Sequence, residues 1–274
     1  MRIGCCGDLK AAQAVKDAGF EFLEVGVQGV LKGQLSDAEW AQTAPDPARF
    51  PLPVEAANGL VPGTLPIVGP HRDFAALTCY MANVARRAQR LGLQRLVFGS
   101  GAARRRPEGV DPAQALHEIT EFTRMAGEAC ARHEVVLVIE HLHAQETNTL
   151  NKLSQTRALA DAVNLPSVAV LVDSYHYVLE KETDAAILNL GPRLQHVHIA
   201  EPGGRVNPGA HGPFQPGAGA GKAFDFVSFF CLLRKTGYDQ RISFEGSWAR
   251  PIDQAGRSTV AYIRQAWDEA GRCE

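Results

Sequence analysis

Eight times along this chain a short run rich in Val, Ile, Leu and Phe stops at a polar or small residue and gives way to a longer stretch. The runs are Arg2–Cys6, Phe20–Gly26, Leu52–Ala57, Leu96–Gly99, Val135–Glu140, Val168–Asp173, Leu194–Ile199 and Arg241–Glu245. Their hydrophobicity is continuous rather than alternating, as a parallel strand covered on both faces requires, and strands separated by helical segments imply βαβ crossovers. The segments between them, Leu9–Ala18, Asp73–Leu91, Pro112–Arg132, Lys152–Val163, Thr183–Leu190, Phe226–Thr236 and Asp253–Ala270, carry apolar residues three and four apart. Gly19, Gly92 and Gly237 follow three of them where a left-handed residue ends a helix. The stretch 27–51 is irregular, with room for a short helix at Asp37–Gln42.

Eight strands alternating with helices over about 250 residues form the pattern of a (β/α)8 TIM barrel of the α/β class, whereas an open doubly wound sheet of this length more often has fewer strands. No linker or repeat breaks the chain, so one domain over residues 1–274 fits better than two. The glycine-rich stretch Gly217–Lys222 departs from a phosphate loop, with Pro216 at the first glycine position and Ala223 in place of Ser or Thr. It reads as a turn before a helix that Asp225 caps.

Composition narrows the function classes. Apolar residues make up 45% and charged residues 21%, which supports a sizeable core and excludes a disordered chain. With 28 Lys and Arg against 30 Asp and Glu, the net charge of −2 offers no field for polyanions, so neither nucleic acid nor a membrane surface is expected as a partner. No segment is apolar for long enough to span a bilayer, and Met1–Asp8 has no apolar leader, which points to a cytoplasmic protein. The six cysteines contain no C-x-x-C and are expected as thiols, mostly buried; of the adjacent pair Cys5 and Cys6 only one can face a given site.

A barrel's active site lies at the C-terminal ends of its strands, so the residue that closes each run becomes a candidate. The last four runs end in Glu140, Asp173, His198 and Glu245. Burying three carboxylates together costs several kcal/mol each in desolvation and repulsion, and a bound cation compensates. Carboxylates with one imidazole form a hard donor set, which favours Mn²⁺, with Mg²⁺, Co²⁺ or Zn²⁺ as alternatives, in an open site rather than a closed structural zinc site. Such a site suits removal of a proton next to a carbonyl: a glutamate takes the proton while the cation stabilises the enediolate as Lewis acid and template. Glu140 and Glu245 would approach the substrate from different sides, one taking the proton and the other returning it.

Other candidates carry weaker readings. His196 shares a strand face with His198 one layer deeper, where a hydrogen-bonded interior histidine is expected. His71, His141, His143 and His211 fall in rim loops and read as solvated, as does the triplet Arg104–Arg106. Glu24 and Glu55 near strand ends divide evenly between pocket lining and structural pairing, and Trp248 between walling a sugar and packing under its loop.

Four motifs carry a resemblance: Val138-Ile139-Glu140 with Glu146-Thr147 following, Asp173-Ser174-Tyr175-His176, His196-Val197-His198-Ile199-Ala200-Glu201 with Arg205, and Ser243-Phe244-Glu245. In order and spacing these resemble the xylose-isomerase-like superfamily of barrels, which includes sugar phosphate isomerases, ketose 3-epimerases, inosose isomerases and the endonuclease IV type of DNA-repair enzyme. The match is strongest in the C-terminal half. The resemblance implies that Glu140, Asp173, His198 and Glu245 hold the metal, that Glu146, His176 and Arg205 contact substrate, and that Glu140 and Glu245 transfer protons. It implies a sugar or polyol isomerase or epimerase, often a homodimer or homotetramer, with phosphorylated and free sugars both fitting. The segment from His198 to Arg205 is one residue longer than the common epimerase spacing. An inosose-type dehydratase is the alternative. An apurinic-site phosphodiesterase fits less well, because further histidines for its zinc cluster are missing at Glu55–Asn58 and Gly99–Gly101.

Overall fold

The computed structural model of the chain describes residues 1–212 and 223–273, and the Gly217–Lys222 stretch lies outside them. Eight parallel strands, β1 (Arg2–Cys6), β2 (Phe22–Gly26), β3 (Val54–Asn58), β4 (Arg95–Phe98), β5 (Val136–Glu140), β6 (Val168–Asp173), β7 (Leu194–Ile199) and β8 (Arg241–Phe244), follow one another round the ring, and β8 pairs back onto β1. Closure leaves no strand edge exposed. The helices of the outer layer are α1 (Ala12–Asp17), α2 (Val27–Val30), α3 (Asp37–Thr43), α4 (Phe74–Arg90), α5 (Pro112–Ala131), α6 (Leu153–Val163), α7 (Ser174–Leu179), α8 (Asp184–Leu188), α9 (Phe226–Lys235) and α10 (Ile252–Ala270). Asp73, Asp111 and Asp225 cap α4, α5 and α9 by accepting hydrogen bonds from first-turn backbone N–H groups. Among the described residues no helix is long and apolar enough to cross a membrane.

The hydrophobic core divides as the pleat dictates. Outward-facing strand residues such as Ile3, Leu23, Leu96, Ile139, Val170 and Ile242 pack under the helices, while Val97, Val138, Ala169 and Leu171 form a small separate cluster inside the barrel. Phe22 fills the interior opposite Gly4, where an added Cβ would run into its ring. The barrel is thus a packed plug below and a polar cup above.

The N-terminal end of the barrel is closed by charge. Glu55 is the second residue of β3 and pairs with Arg2 and with Arg241 Nε (3.1 Å). The expectation had placed it near the end of its strand, but β3 starts at Val54 and runs to Asn58, so Glu55 belongs to the opposite face from any site. Replacing Glu55 with Ala would leave the largely buried Arg241 without its counter-charge, at a cost of about 3 kcal/mol. Thermal unfolding should show Tm lowered by roughly 6–12 °C with turnover unchanged; an unaltered Tm would contradict the pairing's structural role.

Two further expectations need correction. Cys231 and Cys273, read as thiols, are joined as a disulfide, because the packing of α9 on α10 brings their Cα atoms to 5.8 Å, within the range a disulfide spans. Arg104, read as part of a solvated triplet, is fully buried: the turn after β4 drops back so that its Nη1 donates to Phe98 O (3.1 Å) and its guanidinium lies over the Phe98 ring.

Candidate metal centre

The strand ends converge as the sequence pattern requires. Glu140 closes β5, Asp173 closes β6, His198 is the fifth residue of β7, and Glu245 follows β8 directly. Parallel pairing sets Asp173 against His198 and His198 against Ser243, so all four side chains face the inside at one level. One donor atom from each lies within 4.8 Å of the others. His198 Nδ1 is 3.2 Å from Glu140 Oε1 and 3.0 Å from Glu245 Oε2.

The orientation of His198 is set from below. Its Nε2–H donates to Glu24 Oε1 (2.8 Å), and the other oxygen of Glu24 accepts from His196 Nε2–H (2.8 Å). All three side chains are fully buried. The Glu24 carboxylate therefore fixes the tautomer that leaves the His198 Nδ1 lone pair facing the carboxylate oxygens. A lone pair surrounded by anionic oxygens is stable only with a proton or a cation between them, so the donor set fits a divalent ion. Without one, the proton is held: burial opposes charge on His198, yet Glu24 and Glu245 drive its pKa well above the ordinary value. Burial opposes ionisation of Glu24 in turn, but His198 and His196 pull its pKa well below the carboxylate range. Glu24→Gln should lower divalent-ion affinity by about 10–100-fold in calorimetric titration, and unchanged affinity would remove Glu24 from this role.

The carboxylates themselves differ. Burial pushes Glu140 up, with Glu245 adding to the shift, and burial takes Asp173 from 3.8 to about 7. Glu245 is also desolvated, but His198 and Arg205 hold it below its usual value. The surroundings thus push the two glutamates in opposite directions.

The three residues expected to contact substrate, Glu146, His176 and Arg205, lie beside this cluster. Arg205 Nη2 donates to Glu245 Oε2 (2.7 Å) and Asp173 Oδ2 (3.3 Å), Nη1 is 3.5 Å from Glu146 Oε1, and the guanidinium lies 4.8 Å from the Tyr175 ring centroid. Between His198 and Arg205 the chain makes a tight turn in which Gly204 and Arg205 both have positive φ, 83° and 49°. His176, expected on a rim loop, lies in the first turn of α7, which Asp173 caps by accepting from Tyr175 N (2.8 Å). Burial, together with neighbouring His141 and Arg205, pulls the pKa of His176 far down, so the ring is neutral. Glu146 is exposed at the rim.

Other expectations divide. His196 is the hydrogen-bonded interior histidine expected, and His71 and His211 are exposed. His141 and His143 are buried instead of solvated, because the loop after β5 folds inward over the start of α7. Trp248 packs edge-on against Phe244 and Phe20 with ring centroids at 4.9 and 6.1 Å, so it supports its loop. Asn58 was not singled out. It ends β3, donates from Nδ2 to Glu245 Oε1 (2.9 Å) and lies 3.6 Å from Cys6 Sγ. The strand-end rule applied one residue further along would have found it.

Comparison with known proteins agrees with this architecture. The chain is 30% identical over 133 residues to L-ribulose 3-epimerase of Methylomonas sp. (strain DH-1), covering 48% of this chain and 42% of that one. It is 28% identical over 148 residues to 3-dehydro-D-guloside 4-epimerase of Escherichia coli (strain K12), covering 53% and 52%. The chain thus spans about half the length of these curated relatives. A crystal structure of D-psicose 3-epimerase determined in the presence of D-fructose superposes over 97% of this chain and 99% of that one with a TM-score of 0.78 at 18% identity, a likeness of fold. The family described as xylose isomerase-like TIM barrel matches residues 12–266, and with the closed eight-stranded ring this shows that the chain belongs to it.

Proposed function

We propose that this protein is a divalent-cation-dependent sugar or polyol isomerase or epimerase that moves a proton at carbon beside a carbonyl. The observation that carries the reading is the meeting of Glu140, Asp173, His198 and Glu245 donor atoms at the barrel rim, with two glutamates of opposite pKa direction flanking His198 Nδ1. The names of the curated relatives, both sugar epimerases, support the substrate class.

Glu140, Asp173, His198 and Glu245 would hold the ion, with Mn²⁺ favoured by the hard donor set. When bound, it supplies Lewis acidity at the substrate oxygens and holds them in place. One glutamate takes the proton from the C–H bond, whose electrons move toward the carbonyl oxygen. The other returns a proton, on the same carbon for epimerisation or on its neighbour for isomerisation. Arg205 offers N–H donors where negative charge develops, and Glu146 and His176 bind substrate hydroxyls. Arg205 also holds Glu245 Oε2, which keeps this carboxylate aimed and ionised before substrate arrives.

The test is incubation of the Mn²⁺-loaded protein with a panel of pentuloses, hexuloses and 3-keto glycosides, with products separated by chromatography. One substrate class should interconvert with its epimer or aldose. No conversion of any member, with the ion bound, would overturn the reading.

A further inference from the structure

The ring of His143 lies beside His176, 5.0 Å between centroids and nearly parallel at 24°, and Tyr175 holds it edge-on from the other side. His143 Nδ1 is 2.9 Å from His176 Nδ1 and 3.5 Å from Glu146 Oε1. A hydrogen bond between two imidazole nitrogens requires a proton on one and a lone pair on the other. The backbone decides which. His143 N–H also points at His176 Nδ1, at 3.3 Å, and a backbone N–H is only ever a donor. A proton on His176 Nδ1 would oppose it, so that nitrogen accepts and His143 Nδ1 carries the hydrogen. With Nδ1 accepting, the ring's one N–H hydrogen is on Nε2.

That Nε2 is buried and has no hydrogen-bond partner among the described residues; the nearest acidic group among them is Asp173 Oδ2 at 3.6 Å. An unpaired buried donor costs free energy, and in a site it marks the place where a ligand atom completes the bond. We infer that His143 is a positioning residue, which holds His176 in the Nε2–H tautomer so that this N–H meets a substrate oxygen in the metal centre. His143 thus sits between His176 and Glu146, whose Oε1 is 3.5 Å from its Nδ1. The part of the inference that concerns substrate rests on the proposed sugar chemistry; the tautomer does not.

The experiment uses Mg²⁺-loaded, ¹⁵N-histidine-labelled full-length protein without substrate, with His176 assigned by its loss in His176→Gln. Long-range ¹⁵N–¹H correlations report which ring nitrogen bears hydrogen. Wild type and His143→Asn, whose Nδ2–H takes the place of the imidazole Nδ1–H, should show His176 in the Nε2–H form. His143→Leu, which keeps the backbone N–H that faces His176 Nδ1 and loses only the ring donor, should keep the Nε2–H form but move the His176 Nδ1 resonance toward that of an acceptor nitrogen lacking a strong hydrogen bond. In kinetics His143→Leu should lower kcat by about 10-fold or more with KM changed by less than about 3-fold, as for a donor whose bond strengthens in the transition state, and His143→Asn should restore kcat to within about 3-fold. Protonated Nδ1 on His176 in wild type, or a His143→Leu protein whose His176 nitrogen shifts and kcat match the wild type, would overturn the inference. Correct tautomers with no turnover of any sugar would leave the inference standing and count against the proposed function instead.

Discussion

Glu245→Gln should abolish turnover while leaving the barrel folded. The glutamine has the same length and can still accept from Asn58 Nδ2 or Arg205 Nη2, which hold the glutamate's two oxygens at 2.9 and 2.7 Å. It cannot take up a proton at neutral pH, and an amide is a poorer ligand for a hard cation than a carboxylate. Loss of a general acid or base alone costs about 10²–10⁴-fold, and with weakened cation binding kcat should fall by at least about 10³-fold. Tm compared between the ion-free proteins should stay within a few degrees, because Glu245 is only half-buried and its loop is held independently: Ser247 N donates to Arg205 O (2.8 Å). Steady-state kinetics at saturating Mn²⁺ make the check. A variant keeping a tenth of wild-type kcat would exclude Glu245 from proton transfer.

Removing the cation should cost both activity and stability. A ligand present at about 100–1,000 times its Kd stabilises the folded state by roughly 2.7–4.1 kcal/mol, which for a chain of this size is about 5–16 °C in Tm. Scanning calorimetry of the chelated and reloaded protein should show a fall of this size, reversed with turnover when Mn²⁺ returns. The effect should depend on pH with a definite sign. In the ion-free protein Asp173 has a pKa raised from 3.8 to about 7, so the folded state binds its proton more tightly than the unfolded chain does. The stabilisation from that proton is complete below the unfolded value and is lost as pH rises toward 7. Ion-free stability should therefore decline from about pH 4 to pH 7 through Asp173, while divalent-ion affinity rises over the same range as the competing proton leaves. An affinity independent of pH across this window would contradict the assignment of Asp173 as a ligand.

Much of this centre was legible in the chain because strands have fixed direction. Once Val136–Glu140 and Val168–Asp173 are parallel neighbours, the acids that close them must lie at one end of the barrel, and the same holds for His198 and Glu245. What could not be read depends on register and on contacts distant in sequence. Glu24 becomes the partner of His196 and His198 only when the ring closes and β2 faces β7 across the interior. The third run, drawn from Leu52, begins two residues before the strand does, which puts Glu55 near the strand's end; of its two readings structural pairing holds. α7 is too short to show helical spacing and is started by the Asp173 cap. The burial of Arg104, His141 and His143 follows from how two rim loops fold inward, which no local pattern records. The disulfide depends on the docking of α9 on α10, which brings Cys231 to Cys273, just beyond the end of α10 and 42 residues away in sequence.

The source of the hydrogen in the product tests the central claim most directly. With substrate turned over in deuterated water, a site that takes a proton on one glutamate and returns one from the other places solvent deuterium at a single carbon of the product in essentially every turnover. Mass spectrometry and NMR of the recovered sugar should show one deuterium there, absent from the Glu245→Gln reaction. A product formed at the wild-type rate with no solvent deuterium would mean that hydrogen moves within the substrate, and would contradict the two-glutamate account.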